Sequence, residues 1–266
     1  MVQHDPPWNQ LRRGPGSIPG MRDLSPQTYS ALPDAPDLSD TIDHPMLNPL
    51  KYAWWFTDWG VATNDDWGVL NTGAGSGFNT LSAENGAGSL TNGGMANSYV
   101  AVMIGRGAGT PDGIINPNKH PYFETRATLA TALGSAKRTV IGFCSGWELS
   151  TVTDLIGFRA VGTGNWFAVC RTGGSEAGST IDTGIAAAIN TVYIFRVWVD
   201  RKGLRCWFEM LNDANPRVRV FGPVPITTNI PTTARTFGLG NMNGADVTTG
   251  EIQVDYCWAY QRRQAA

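Results

Sequence analysis

Tryptophan is the residue type in this sequence with the clearest potential to bind a ligand, because an indole ring combines a large apolar face with one N–H donor. Trp147 and Trp166 lie beside glycine or asparagine residues, in segments typical of the loops that carry binding sites in β-proteins. Trp207 shares a strand face with Arg205 and Glu209, which predicts an outward-facing position. We predict that Trp147, Trp166 and Trp207 bind carbohydrate, with ordinary partial burial as the alternative for each.

Paired carboxylates would indicate hydrolysis of glycosidic bonds, which needs two carboxyl groups roughly 5 to 5.5 Å apart for retention or roughly 6.5 to 9.5 Å for inversion. Glu251 and Asp255 lie on one predicted strand, but the extended chain separates them by about 13 Å. Asp200 falls in a predicted turn, and Glu209 lies further along the strand that follows. We predict no catalytic residues and a protein that is not an enzyme.

No cluster of histidines, acids or glycines predicts a metal or cofactor site. The three histidines are far apart in sequence: His4, His44 and His120. Zinc sites need closely spaced ligands, so these histidines do not predict one. Asp58, Asp65 and Asp66 are candidate calcium ligands, although the spacing of an EF-hand is missing. The glycine-rich segments contain neither a P-loop motif nor the GxSxG of a serine nucleophile. We predict no metal and no cofactor, with calcium at the acidic segment left open.

Charge and composition exclude several classes of partner. Twenty Lys and Arg residues oppose 22 Asp and Glu residues, and charged residues make up 16% of the chain, below the roughly 25% of an average soluble domain. Without a cluster of basic residues, the sequence predicts neither nucleic-acid binding nor a polybasic membrane anchor. It contains no run of about 18 apolar residues that would insert into a membrane.

The first residues and the cysteines predict folding in a reducing cytosol. Residues 1–16 lack the apolar core of a secretory signal peptide. The four cysteines form no CxxC pair and each lies in an apolar or aromatic run: Cys144, Cys170, Cys206 and Cys257. We therefore expect four reduced cysteines that serve as small buried side chains.

From residue 51 onward, short apolar or alternating runs are separated by Gly, Asn and Asp, a pattern typical of a β-sandwich or barrel. The predicted strands are 99–104, 122–130, 138–145, 155–160, 165–171, 192–200, 204–211, 217–221, 235–240 and 251–260. A turn at 200–203 predicts a hairpin between two of them, because Gly203 readily adopts positive φ. With no helical run between strands, residues 51–266 are predicted to form one all-β domain, a two-sheet antiparallel sandwich.

The last strand predicts one apolar and one mostly polar face. Strict alternation places five large residues on one side: Ile252, Val254, Tyr256, Trp258 and Tyr260. On this basis we predict that Trp258 lies in the core. Trp198 shares its strand face with Arg196 and Asp200, so we expect it, like Trp207, to face outward.

Residues 1–50 have a different composition, since they hold nine of the 16 prolines. Proline lacks an N–H donor and favours extended polyproline II conformations, so this segment is not expected to build a core. We predict an extended Pro-rich arm that docks onto neighbouring subunits, because an arm with few backbone partners needs a large surface to offset its ordering entropy. Its predicted anchors are Trp8, Ile18, Met21, Leu24, Tyr29 and Leu32. An arm along its own domain and a disordered tail are the alternatives.

Two segments resemble known proteins. The sequence DTIDHPMLNPLKYAWW, residues 40–55, resembles the opening of concanavalin A-like (lectin/glucanase, laminin-G-like) jelly-roll modules. Residues 157–209, with a Gly-Phe strand, a Trp-bearing strand, a loop ending in Asp-Thr-Gly and a long hairpin, resemble those modules in structural proteins of tailed bacteriophages. The resemblance covers about residues 38–261. It implies a two-sheet jelly roll on a virus particle, where it acts as a decoration, tail or adhesion protein.

The resemblance and the Pro-rich arm together predict a non-enzymatic virion protein, assembled in the host cytoplasm, whose partners are major capsid or tail proteins. Head decoration is favoured because the chain lacks the heptads or repeats of a long tail fibre. The resemblance also implies a homo-oligomer. One alternative is a tail-associated adhesin that recognises host surface polysaccharide. A polysaccharide-degrading enzyme is a further alternative, although the paired ExDxE glutamates of related glucanases are absent.

Overall fold

A computed structural model describes residues 52–58, 67–81, 87–104, 115–145, 152–200, 205–214, 217–232 and 236–262. These residues form fifteen β-strands and one short 3-10 turn, Pro117–Lys119. The predicted arm at 1–50 lies outside the described residues. Within the described ranges, no helix is long and apolar enough to cross a membrane.

The strands form two sheets. The larger sheet contains β1 (Tyr52–Asp58), β3 (Gly77–Leu81), β4 (Ala87–Asn92), β6 (Tyr122–Leu129), β11 (Tyr193–Val199), β12 (Cys206–Asn212), β13 (Val218–Ile226) and β15 (Gly250–Arg262). The smaller sheet contains β2 (Trp67–Thr72), β5 (Tyr99–Ile104), β7 (Arg138–Cys144), β8 (Leu155–Val161), β9 (Asn165–Arg171), β10 (Thr180–Ala186) and β14 (Thr236–Met242).

The order of strands is that of a jelly roll. The larger sheet runs β13-β12-β11-β6-β15-β4-β3, with β1 also paired to β15, and the smaller runs β10-β9-β8-β7-β14-β5-β2. Every strand pairing whose register is described is antiparallel. The predicted all-β sandwich is therefore confirmed, and all ten predicted strands are present within about two residues of their predicted starts.

The core between the sheets is built on phenylalanine. Five of these rings are almost completely buried: Phe123, Phe143, Phe158, Phe195 and Phe208. Phe158 from the smaller sheet lies 5.3 Å from Phe195 and 5.6 Å from Phe208, measured between ring centroids. These edge and tilted contacts join the two sheets across the sandwich. The four cysteines are also buried, as predicted, and none of them forms a disulfide.

The last strand departs from the predicted alternation because β15 contains a β-bulge. Its register against β6 shifts between Val254 and Tyr256, so Asp255 is an extra residue without a partner on that strand. Ile252 and Val254 belong to the core as predicted, but beyond the bulge the core residues are Cys257 and Ala259. The face predicted for Tyr256, Trp258 and Tyr260 is therefore wrong. Trp258 is buried, at 8% exposure, but it is not part of the core between the sheets.

Three glycines lie side by side across the smaller sheet, where Gly238 on β14, Gly142 on β7 and Gly157 on β8 pair in register. A Cβ atom on Gly142 would overlap the carbonyl oxygen of Ile156 on the neighbouring strand, and the φ of Gly142 is +143°. A Cβ atom on Gly238 would likewise overlap the backbone of Val102. The strands can approach this closely only because these residues have no side chain.

We expect Gly142→Ala to lower the free energy of unfolding by about 3 kcal/mol or more, since it adds a backbone overlap to an unfavourable φ. Gly77→Ala is the matched control on another strand, because nothing lies within 4 Å of its Cβ position. Its effect should stay within about 0.5 kcal/mol. Urea unfolding followed by circular dichroism measures both, and equal effects would contradict the close packing of the three glycines.

Candidate functional site

A row of aromatic rings crosses the larger sheet on the face that points away from the core, which we call the outer face. Tyr260, Tyr122, Trp198 and Trp207 are direct neighbours in register on β15, β6, β11 and β12. Tyr122 stacks on Tyr260 at 5.0 Å, and Trp198 stacks on Trp207 at 6.2 Å with only 7° between their planes. All four side chains are at most 7% exposed. We call these four residues the aromatic row.

A second row, which we call the ionic row, lies next to the aromatic row. It contains Glu124, Arg196 and Glu209, which face one another directly across β6, β11 and β12. Arg196 Nε donates to Glu124 Oε2 at 2.8 Å, and its Nη1 donates to Glu209 Oε2 at 3.0 Å. All three residues are buried. One guanidinium therefore bridges two buried carboxylates, and Arg219, whose Nε lies 2.5 Å from Glu209 Oε1, supplies a second positive charge.

Two tyrosines complete the surroundings of Glu124. The Tyr122 hydroxyl donates to Oε2 at 2.7 Å, and the Tyr256 hydroxyl donates to Oε1 at 2.5 Å. With Arg196, the Glu124 carboxylate accepts three hydrogen bonds. The position of Tyr256 depends on the bulge in β15, since strict alternation would turn this residue toward the core.

Burial and the neighbouring carboxylate both act on Tyr256. Desolvation, followed by the charge of Glu124 and the hydrogen bond to it, raises the pKa of Tyr256 well above its usual value of 10.0. The phenol therefore stays neutral and remains a hydrogen-bond donor to Glu124 over the ordinary pH range.

Half-buried charges continue the network beyond the ionic row. Arg126 binds Asp213 at 2.6 Å and the bulge residue Asp255 at 2.9 Å, and Arg217 also binds Asp213. Burial opposes the ionisation of Asp213, but hydrogen bonds and charge from the two arginines outweigh it and hold its pKa below 3.8. The pairing of Arg126 with Asp255 holds the bulge against β6.

This arrangement does not suit acid–base catalysis. A general acid must carry a proton and direct it at the leaving-group oxygen of a substrate. Glu124 accepts hydrogen bonds from three protein groups, and Glu209 pairs with Arg196 while lying 2.5 Å from Arg219 Nε. Both carboxylates are thus engaged by the protein itself. In the described part of the chain, no group of three or more His, Cys, Asp or Glu residues is arranged to hold a metal.

The tryptophans singled out in the sequence lie in different parts of the structure. Trp207 and Trp198 do lie on the face opposite the core, but the expectation that they are exposed is wrong, since both are buried. Trp166 lies in the core at 2% exposure, with its ring 4.7 Å from Phe195, and so offers no open face to a sugar. Trp147 and the predicted anchors of the arm lie outside the described residues, as do Asp65 and Asp66.

The residues that organise the outer face were missed by the sequence analysis, although a signal was present. In YFETRATLA, residues 122–130, Tyr122, Glu124 and Arg126 alternate with Phe123, Thr125 and Ala127. Alternation of this kind places the polar set together on one face. What it does not show is that Arg196 of a strand distant in sequence lies directly opposite Glu124.

Comparison with known proteins establishes the fold. No protein-family model and no curated protein matches the sequence. Among solved structures, a protein of unknown function from Shewanella oneidensis MR-1 matches with a TM-score of 0.58 and 17% identity, covering 81% of this chain and 89% of that one. Peanut lectin matches with a TM-score of 0.51 and 10% identity over 80% of this chain and 99% of that one.

A native glycosidic hydrolase matches with a TM-score of 0.50 and 12% identity, over 80% of this chain and 97% of that one. The fold is a concanavalin A-like jelly roll. The predicted fold is therefore confirmed. Since this jelly roll occurs in both a lectin and a hydrolase, the fold alone does not distinguish binding from catalysis.

Replacing Tyr256 tests whether its hydroxyl group stabilises the buried carboxylate of Glu124. We expect Tyr256→Phe to lower the free energy of unfolding by about 1 to 2 kcal/mol at pH 7, because Glu124 loses a buried donor. Since the pKa of Tyr256 is higher in the folded chain than in the unfolded chain, the wild type loses stability as the pH rises above 10. The Tyr256→Phe variant has no phenol that can lose a proton. The difference in free energy of unfolding between the wild type and this variant should therefore narrow between pH 10 and 11. Urea unfolding at several pH values from 7 to 11 measures this difference in stability. A difference that stays constant over this range would contradict a raised pKa of Tyr256 in the folded chain.

Proposed function

We propose that this chain is a non-enzymatic structural protein of a bacteriophage particle, most simply a head decoration protein whose N-terminal arm tethers a lectin-like sandwich to the particle. The observation that carries the non-enzymatic part is the ionic row. Its two buried carboxylates are held by Arg196 and by tyrosine hydroxyls, so they serve the framework of the sheet rather than a substrate.

The particle assignment is supported by sequence. Residues 157–209 resemble jelly-roll modules of phage structural proteins, and the segment before the sandwich holds nine of the 16 prolines. An extended arm without a core of its own gains stability by binding a large surface, which a particle lattice provides. Its partners in this proposal are capsid or tail proteins, and its location is the virion.

Particle composition tests this proposal directly. We expect quantitative mass spectrometry of purified particles to find this chain at a copy number commensurate with the major capsid protein. A small number that matches the tail symmetry would move the protein to the tail. Absence from particles would overturn the virion assignment. A full-length chain with Trp8→Ala and Leu24→Ala should incorporate at least tenfold less, while Val247→Ala, at a residue 66% exposed on the sandwich, should incorporate normally.

Recognition of a host polysaccharide is the second candidate function, and the likeness of the fold to peanut lectin favours it. A sugar would bind on exposed aromatic rings at a loop edge, so Trp147 is the remaining predicted contact after the burial of Trp166 and Trp207. In this case the sandwich would act as a tail-associated adhesin. The two functions are compatible in one particle protein, but each has its own test.

Glycan binding is measured with surface polysaccharide from the host and immobilised full-length protein. If the chain is an adhesin, Trp147→Ala should weaken binding at least tenfold, because stacking of a sugar on the indole is lost. Trp147→Phe, which keeps an aromatic face, should retain most of the binding. No binding of the wild-type chain to any envelope fraction would reject this second function and leave the structural role intact.

A further inference from the structure

Two of the four buried cysteines meet across the core of the sandwich. Cys170 lies on β9 of the smaller sheet and Cys206 on β12 of the larger sheet, and both are completely buried among the core residues. Their thiols share a hydrogen bond. The other two cysteines lie elsewhere, since Cys257 contacts the hydroxyl of Thr125 and Cys144 belongs to a second hydrophobic cluster. Cys170 and Cys206 therefore meet the first requirement for a disulfide, which is that the two side chains point at each other.

The two sheets come together beside this pair. Facing sheets usually pack about 10 Å apart, so a contact between two short side chains needs a place where the sheets approach more closely. The segment after β13 provides such a place, because Asn229 Nδ2 donates to Ala177 O at 2.8 Å and to Ser179 Oγ at 3.0 Å. We call the two segments joined here, residues 177–179 and 228–229, the closed corner.

Each cysteine is tied to the closed corner through its own strand. Cys170 N donates to Ser179 O at 2.9 Å, and the Ser179 hydroxyl donates to Cys170 O at 2.6 Å. Cys206 pairs in register with Ile226, the last residue of β13, which leads directly into the corner. The hydrogen bonds of the closed corner thus hold the backbones of both cysteines near one another.

Burial keeps these thiols unreactive while the corner is closed. Desolvation, followed by the hydrogen bond and the charge of Cys170, raises the pKa of Cys206 well above its usual value of 9.0. The thiolate is the nucleophile in disulfide exchange, so a neutral thiol without access to solvent reacts slowly. Reaction needs local opening, and β13 favours it, because this strand lies at a sheet edge and its register against β12 is interrupted twice.

We infer that Cys170 and Cys206 are a site of oxidation, at which exchange with a low-molecular-weight disulfide joins β9 to β12 when the closed corner opens. One cysteine sulfur attacks a sulfur of the reagent and releases its first thiol. The other cysteine then attacks the protein sulfur of this mixed disulfide and releases the second thiol. Two protons and two electrons pass from the cysteines to the reagent, which leaves as two thiols. Antibody domains show that a disulfide between two sheets fits within a sandwich core.

Oxidation of the full-length chain with oxidised glutathione tests the inference, near pH 8 and below the urea concentration that unfolds the protein. The number of free thiols counted after denaturation should fall from four to two, and mass spectrometry of unreduced peptides should find Cys170 joined to Cys206. The bond encloses residues 170–206, so the urea midpoint should rise by about 1 to 2 M. Four remaining thiols, glutathione adducts without a protein disulfide, or a different pairing would overturn the inference.

Two matched double variants separate this site from the other cysteines. Cys144→Ala/Cys257→Ala removes two buried thiols, keeps the proposed pair, and should still form the disulfide with a similar rise in the urea midpoint. Cys170→Ala/Cys206→Ala removes the same number of buried thiols and should keep its two remaining thiols, with no rise. A disulfide within the second variant, or none within a folded first variant, would contradict the proposed pairing.

The role of the closed corner is measured by the rate of oxidation. Asn229→Ala removes two hydrogen bonds of the corner and should speed the loss of free thiols about three- to tenfold. Asn118→Ala, at an exposed residue of the 3-10 turn, is the matched control and should react at the wild-type rate. Equal rates for both variants would reject opening of the corner as the step that exposes the thiols. These measurements use neither particles nor glycans, so their failure is distinct from failure of the proposed function.

Discussion

Arg196 is the side chain on which the outer face of the larger sheet depends. It lies between Glu124 and Glu209, and each of these carboxylates would be very costly to bury without a cationic partner. The three residues are also direct neighbours in register across β6, β11 and β12. A slip of one residue would turn a carboxylate toward the phenylalanine core, so the ion pairs specify register as well as neutralise charge.

Much of the fold could be predicted because its central strands differ sharply in polarity from the turns between them. Of the five described strands that were missed, β2, β3, β4 and β10 each contain a glycine, and β10 is typical of these four. Along Thr180–Ala186 its residues alternate between exposed and half-buried, with none fully buried. Such a strand is defined by pairing with its neighbour β9 rather than by its own composition, and a single sequence does not contain that information.

The candidate site was less predictable, for two physical reasons. One extra residue at Asp255 reverses the faces of the rest of β15, and it moves Tyr256 and Trp258 from the predicted core to the outer face. The alternation of side chains along each strand assigned Trp198 and Trp207 to the correct side of the sheet. Alternation does not show whether a side chain on that side is buried. The ionic row required pairing between strands far apart in sequence, which becomes apparent only when the sheet is assembled.

The two sheet edges formed by β13 and β10 are poorly suited to pairing with another strand. β13 carries Pro223 and Pro225, which lack N–H donors, and its register against β12 is interrupted twice. The register of β10 against β9 is also irregular between Asp182 and Ala186. Such interruptions are a recognised protection against open-ended aggregation of sheets. At these two edges, the sandwich is thereby guarded against growing into fibres by strand-to-strand pairing between copies.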